Sequence, residues 1–307
     1  MPSPLPPPDS PLAAALAPLP ERLLVGVSGG RDSCALLDAL VASGRKPVVV
    51  HFDHRWRKES AADARWVAAL AKRHGLSCVA GKAPLGAPKT ETSARRLRWA
   101  FFAAAARKRR CRHLVLAHHA GDQVETFLLQ LLRGTGSGWA GMAPETVRDG
   151  LTVHRPWLEF DQAAITLYTE RRGLAWRDDP SNADLHPLRN RVRHHLLPLL
   201  EAEYAPGIAA RLLRAAQIRR GEEEWLSSLV EPQARAASLP VQALQGRPVG
   251  FQRRLLHAWL GYRGVSDLSF ADIEAARGLL SQARPSRINL SRGRHLRRRA
   301  GLLFVEG

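Results

Sequence analysis

The chain has 307 residues, 45% of them hydrophobic, which is enough for two domains with cores of their own. Its 46 Lys plus Arg against 28 Asp plus Glu leave a formal charge of +18, an excess that attracts polyanions and points to nucleic acid ahead of acidic membrane. The isolated Cys34, Cys78 and Cys111 form no C-x-x-C and no His-paired spacing, which argues against zinc and iron–sulfur sites and fits a reducing cytoplasm.

Residues 1–20 carry proline at 2, 4, 6, 7, 8, 11, 18 and 20 and lack a basic start with an apolar stretch. They read as neither signal peptide nor membrane span, and are expected to be a loose tail. Residues 23–41, LLVGVSGGRDSCALLDALV, read as an apolar strand, a Gly-rich turn and an amphipathic helix. PVVVHF at 47–52, LSCVAG at 76–81 and HLVLAHH at 113–119 read as further strands, with helices near 60–72 and 93–107 between them. This alternation specifies an α/β fold with a doubly wound parallel sheet, whose ligand crevice lies beyond the carboxyl ends of the strands. Ser28, Asp53 and His118 fall at such ends.

A helix at 122–133 is followed by GTGSGWAGM, a loop rich enough in glycine to serve as a mobile lid. Residues 151–158 suggest one more strand, Asp161 caps a helix that stops at Gly173, and RDDPSN opens a turn before LRNRVRHHLLPLL. The nucleotide-binding domain is thus expected over 21–205. Residues 206–307 are expected to form a mainly helical domain, with helices near 208–228, 250–260 and 269–282 and a hairpin through RINL and LLFVEG.

The turn at 28–33 suits a phosphate. Gly29 and Gly30 let the backbone approach an anion closely, the following helix directs unpaired N–H groups there, and the Ser28 and Ser33 hydroxyls can donate. Neither a Walker A loop nor G-x-G-x-x-G is present. HFDHRWR at 51–57 offers a zinc reading, which the neighbouring Arg side chains weaken, and a nucleotide or RNA reading, which they favour. In HHAGDQVET, Asp122 and Glu125 sit in the first turn of a helix, a position that suits carboxylates with or without a catalytic role. Arg-rich stretches at 94–99 (Arg95, Arg98), 107–112, 189–195 (Arg189, Arg191, Arg193) and 292–299 fit an RNA backbone tract when taken together, although each alone could be a solvated face.

SGGRDS resembles the loop of ATP pyrophosphatases. Together with HFDHRWR, ETSARRLRW, AHHAGDQVETFLLQLLRGTGSGWAGM and DDPSNADLHPLRNRVRHHLLPLL, it is similar in order and spacing to tRNA(Ile)-lysidine synthetases over about residues 23–200. Gly121, Trp99 and Trp56 depart from the usual pattern, and residues 206–307 match only loosely. The resemblance implies adenylation of the wobble cytidine of an isoleucine tRNA with a CAU anticodon, then attack by free L-lysine to give lysidine, AMP and pyrophosphate. It implies ATP contacts from Ser28, Gly29, Gly30, Arg31, Asp32 and Ser33, with Asp32 the candidate Mg²⁺ ligand. His118 and Asp122 would act near the α-phosphate and the base, and Arg189 or Arg193 would neutralise phosphate charge. Glu125, Arg95, Arg98 and Arg191 are candidates for lysine or RNA. The alternatives are a thiolating tRNA enzyme of the same fold, which the scattered cysteines disfavour, and a small-molecule amide-forming ATP pyrophosphatase, which the basic clusters disfavour.

Overall fold

The computed structural model describes residues 10–57, 59–134, 140–178, 184–265, 268–281 and 286–307. The chain divides into two compact units. One comprises residues 1–126 with 142–210, and the other 127–141 with 211–307.

The first unit is built on a six-stranded sheet of order β3-β2-β1-β4-β6-β5. Its strands are β1 (Leu24–Gly26), β2 (Val48–Asp53), β3 (Cys78–Lys82), β4 (His113–Val115), β5 (Glu145–Arg148) and β6 (Leu151–His154). β1 to β4 and β6 run parallel, as the alternating pattern requires, and β5 is an antiparallel edge strand. The chain winds outward from β1 to β3, then restarts at β4 on the other side of β1, so the topological switch lies between β1 and β4. The helices α2 (Arg31–Ala42), α3 (Ser60–Arg73), α4 (Glu91–Arg109), α5 (Ala120–Leu132) and α6 (Gln162–Arg171) follow the strands. Leu36, Leu37 and Leu40 of α2 are fully buried with Val25 and Val49, while Trp99 and Phe102 of α4 pack with Leu24, Val50 and Leu114. Gly26 permits the close β1–β4 approach: a Cβ there would lie 2.5 Å from Leu116 Cδ2.

Sequence periodicity places one strand at 151–158, but the structure has a hairpin. β5 and β6 are joined by Asp149 and Gly150, both with positive φ (52° and 73°). Asp-Gly is the dipeptide that a two-residue turn of type I′ demands, so the signal was present. The polar ETVR segment before it lacks the apolar content that marks a strand.

The proline-rich start also departs from expectation. Residues 1–9 lie outside the described residues, but 10–20 are not a loose tail. Ser10 caps a short helix α1 (Pro11–Ala14), Leu12, Leu16 and Leu19 enter the core of the first unit, and the Leu12 carbonyl accepts from Trp157 Nε1 at 3.1 Å. Arg45 fixes the end of this segment by donating to the carbonyls of Leu16, Ala17 and Leu19. Three leucines at near-helical spacing outweigh the prolines, which at N1 and in the flanking turns cost no helical hydrogen bond.

In the second unit the helices Ile208–Ala234, Val249–Tyr262 and Phe270–Gly278 accompany a four-stranded antiparallel sheet. Its strands are β7 (Leu239–Pro240), β8 (Arg287–Asn289), β9 (His295–Arg299) and β10 (Leu302–Glu306), in the order β7-β10-β9-β8. A hairpin forms between β9 and β10 about Ala300–Gly301, but not the one expected through RINL and LLFVEG, since RINL pairs with β9 instead of β10. Trp259, Leu255, Leu256, Leu296 and Leu303 make its core. Leu16, wholly buried in the first unit, tests the docking of the N-terminal segment. Leu16→Ala should lower the unfolding free energy of that unit by about 2–5 kcal/mol in urea titrations, whereas a detached tail would leave the midpoint unchanged.

Candidate active site

The loop from β1 to α2 is shaped by its own hydroxyls. Ser33 Oγ donates to the Gly30 carbonyl at 2.9 Å and accepts the Ser28 amide at 3.1 Å, and Ser28 Oγ accepts the Gly30 amide at 3.2 Å. Gly29 takes φ +99°, a conformation that L side chains rarely adopt. Gly30 is the N-cap of α2 and no side chain caps that end among the described residues, so the amides of the first turn keep their donor capacity for an anion. Cys34 beneath the loop donates to the Gly29 carbonyl, and burial pushes its thiol up to about 12, which leaves it inert as a nucleophile.

Across the switch point the loop after β4 brings in two histidines and α5 brings in two carboxylates. Asp122 and Glu125, three apart on α5, meet Arg189 and Arg193, four apart on the helical run that begins with α7 (Leu188–Arg191). Arg189 donates through Nε to Glu125 (2.7 Å) and through Nη2 to Asp122 (3.0 Å), while Arg193 donates to both oxygens of Glu125 and approaches Asp122 at 3.4 Å. The run continues through π-helical turns at Val192–Leu196 and Leu200–Tyr204, on either side of Pro198, which has no N–H for an i→i−4 bond. Glu125 is almost fully buried, and these two guanidiniums make its charge tolerable there. Burial alone would raise the Asp122 pKa, but His119, Arg189 and His118 outweigh it and hold the carboxyl below its usual range.

His119 is the site residue that sequence reasoning missed. Its ring is buried, Nδ1 accepts the Gly121 amide at 3.0 Å, and Nε2 lies 3.8 Å from Asp32 Oδ2 and 3.6 Å from Asp122 Oδ2. Accepting at Nδ1 assigns the proton of the neutral ring to Nε2, so His119 presents a donor between two carboxylates. A Cβ on residue 121 would fall 2.8 Å from this ring, which connects the unusual glycine there with the histidine's placement. The doubled HH was visible in sequence, but which imidazole turns toward the loop was not.

His118 has a different environment. Its Nδ1 is buried with no hydrogen-bond partner among the described residues, and burial, reinforced by Arg155, Arg189 and Arg98, lowers its pKa to about 3 despite the Asp122 charge. It is a neutral imidazole at physiological pH. Arg98 is half-buried, its pKa pushed down to about 10 by burial and by Arg95 and Arg189, whereas Arg95 and Arg191 are exposed. Thus the structure gathers Asp32, His118, Asp122, Glu125, Arg189 and Arg193 with the loop, and leaves Arg191 facing solvent. In the 51–57 segment, His51 Nδ1 is tied to the Val27 carbonyl at 2.8 Å, and His54 lies between Phe52 and Trp56 with its pKa lowered to about 4 by burial and Arg98. Among the described residues no group of three or more His, Cys, Asp or Glu is placed to hold a metal. The glycine-rich stretch assigned as a lid falls partly on 135–139, outside the described residues.

Residues 12–200 match the PP-loop domain, and residues 239–304 match the TilS substrate-binding domain. The tRNA(Ile)-lysidine synthase of Thermosynechococcus vestitus is 34% identical over 292 residues, 91% of this chain and 85% of the relative. The chain belongs to the tRNA(Ile)-lysidine synthase family. The enzyme of the same name from Thermus thermophilus is 37% identical over 93% of this chain and 57% of its own length. That from Solibacter usitatus is 41% identical over 68% and 48%, so the chain spans only about half the length of some relatives. Among solved structures, the U34-tRNA thiolase NcsA from Methanococcus maripaludis with its [4Fe-4S] cluster superposes with a TM-score of 0.54 at 12% identity, over 67% of this chain and 77% of that one. That likeness shows the fold alone. No helix among the described residues is long and apolar enough to cross a membrane.

The depressed His118 pKa carries a stability consequence. The unfolded chain takes up this proton near pH 6.5 and the folded one only near pH 3, so between these values the unfolded state binds more protons and stability falls as pH falls. His118→Gln should flatten the loss of unfolding free energy between about pH 6.5 and 3 in urea titrations. A parallel pH profile would mean that the imidazole protonates freely in the native state.

Proposed function

We propose that this chain is an ATP-dependent tRNA ligase that makes lysidine. ATP is split between its α and β phosphates, AMP is placed on O2 of a wobble cytidine of a CAU-anticodon isoleucine tRNA, and the amine of free L-lysine then attacks C2 and expels AMP. The observation that carries the reading is the meeting of an uncapped loop and helix end with the Asp32, His119 and Asp122 cluster at the β1–β4 switch point, in a chain of this family. Ser28, Gly29, Gly30, Arg31, Asp32 and Ser33 form the ATP cradle in this proposal. Mg²⁺ is commonly held by one or two carboxylates and substrate phosphates, and the partly exposed Asp32 carboxylate fits that need without a protein cage. The ion would supply counter-charge to the phosphates.

The carboxylates divide by environment. Glu125 is saturated by two guanidiniums, so we assign it the task of holding Arg189 and Arg193. Asp122 is the more open of the two, at 15% side-chain exposure against 4%, and its ionised form suits the lysine ammonium and the proton it must release. His118, being neutral, acts through a hydrogen bond at the base or phosphate and not as a cation. Arg95, Arg98 and Arg191 remain the candidates for RNA.

Asp32→Ala should remove tRNA-dependent ATP–pyrophosphate exchange while leaving tRNA affinity within a few-fold. Retained exchange would take Asp32 out of the mechanism. Arg191 faces solvent and Arg189 faces Asp122 and Glu125, so their substitutions should separate. Arg191→Ala should reduce the slope of log affinity for tRNA against log salt by about 0.7–0.9, and Arg189→Ala should lower turnover with little change in slope. Equal slopes for Arg191→Ala and wild type would place the RNA tract elsewhere.

A further inference from the structure

We propose that the amino ends of β1, β2 and β4, the pole of the six-stranded sheet away from the 28–33 loop, form a second RNA contact that grips phosphates of the tRNA away from the reacting base. The proposal rests on the reading that the chain acts on tRNA. Leu24 of β1 pairs with Val48 of β2 and with Leu114 of β4. Two positions before these three residues stand Arg22, Lys46 and Arg112, so a cation leaves each of three neighbouring strands, which run about 4.8 Å apart. The end of α4 meets the same pole. Arg22 Nη2 donates to the Arg109 carbonyl at 2.6 Å, and the Cys111 thiol donates to the Arg22 carbonyl at 3.4 Å. Arg107 and Lys108 in the last turn of α4 and its C-cap Arg110 therefore join the row.

Two arginines of the pole, Arg22 and Arg45, are spent on the protein's own carbonyls. Lys46, Arg107, Lys108, Arg110 and Arg112 are not: all five are exposed, and among the described residues their side chains enter no hydrogen bond or ion pair. Glu21 shares a surface basin of about 680 Å³ with Arg22, Arg45 and Lys46, and Asp149, in the turn before β6, is paired with Arg148. A helix dipole accounts for cations in the last turn of α4, but not for Lys46 and Arg112, which precede strands. Arg110 takes the left-handed conformation, φ 48°, that glycine fills most readily at a helix end, so a long cation is kept there against backbone strain. None of these positions offers an exposed apolar side chain, which a membrane-surface contact would bury, whereas an RNA backbone asks only for spaced cations. Arg22 and Ser28 lie at the two ends of β1, roughly 20 Å apart along extended chain, so the pole adds affinity by counterion release without touching the reacting atoms.

The test is tRNA binding by the full chain over a salt series, read by fluorescence anisotropy, alongside tRNA-dependent ATP–pyrophosphate exchange. Lys46→Gln, Arg110→Gln and Arg112→Gln combined should lower the slope of log affinity against log salt by about 2–3, at roughly 0.7–0.9 per contact, and raise the KM for tRNA more than they lower kcat. A control with Arg65→Gln, Lys72→Gln and Arg73→Gln, all exposed on α3, removes the same net charge elsewhere and should keep a slope near that of wild type. An equal fall in both variants overturns the pole as a site and leaves bulk charge as the cause. An unchanged slope in the first variant overturns it as well. So does binding of wild type to vesicles of phosphatidylserine and phosphatidylcholine that competes with tRNA and is lost in the first variant. A wild-type midpoint in urea shows that a variant is folded. Should the first variant unfold, Arg107→Gln with Lys108→Gln carries the same test, with a fall of about 1–2 expected. If wild type itself catalyses no tRNA-dependent exchange, the tRNA reading fails first.

Discussion

The charge quartet of Asp122, Glu125, Arg189 and Arg193 is the constraint on which the site depends. Glu125 sits where an isolated carboxylate would be strongly destabilised, and two guanidiniums reach it from another helix. Removing one partner would leave the other charges buried and unmatched, at a cost of roughly 3–5 kcal/mol for a buried pair. The quartet thus ties the helical run 188–204 to the start of α5. It also fixes Asp122, whose other oxygen accepts the His119 amide at 3.1 Å, and through His119 it sets the distance to Asp32 and the phosphate loop. Residues 67 positions apart in sequence, Asp122 and Arg189, become parts of one electrostatic unit.

Legibility in the sequence followed how local the cause was. The parallel strands, the helices between them and the 28–33 turn rest on local periodicity and glycine placement, and the structure has them within a few residues of where the pattern puts them. The hairpin of β5 and β6 announced itself only by Asp149–Gly150, because its first strand is a polar edge with no apolar face to count. The N-terminal segment misled through its prolines. What decides its docking is the Leu12, Leu16 and Leu19 contacts with a core assembled from distant residues. In the site, the residue types were legible and the partners were not. An arginine 64 to 71 residues from a carboxylate gives no sign of whether it serves a phosphate or that carboxylate, and the register of two helices settles it.

The same point qualifies what a charge of +18 means. A basic run in sequence suggests a polyanion surface, yet several arginines of the second unit are spent on the protein's own carbonyls. Arg298 Nη1 donates to the Leu279 and Leu280 carbonyls, Arg294 to that of Arg263, and Arg263 to that of Arg235. Each of these carbonyls lies just past a helix C-terminus, where the last C=O groups lack intrahelical partners and the dipole favours a cation. Arg297 is paired with Glu306 across β9 and β10. The run at 292–299 is therefore in large part internal scaffolding, and net charge overcounts the residues available to RNA.

In the first unit the basic residues differ in how closely acids match them. Arg189 and Arg193 answer two carboxylates, and Arg57 and Arg177 each pair with Asp63. Arg95 and Arg98 stand beside Arg148, Arg155 and Arg189 with Glu91 as their nearby acid, and their mutual repulsion adds to burial in lowering the pKa of each. Like charges held together cost stability unless an anion is expected there, so such a group is better evidence for a phosphate partner than any count of arginines along the chain. The basic residues that tell most about function are those that the fold compensates least.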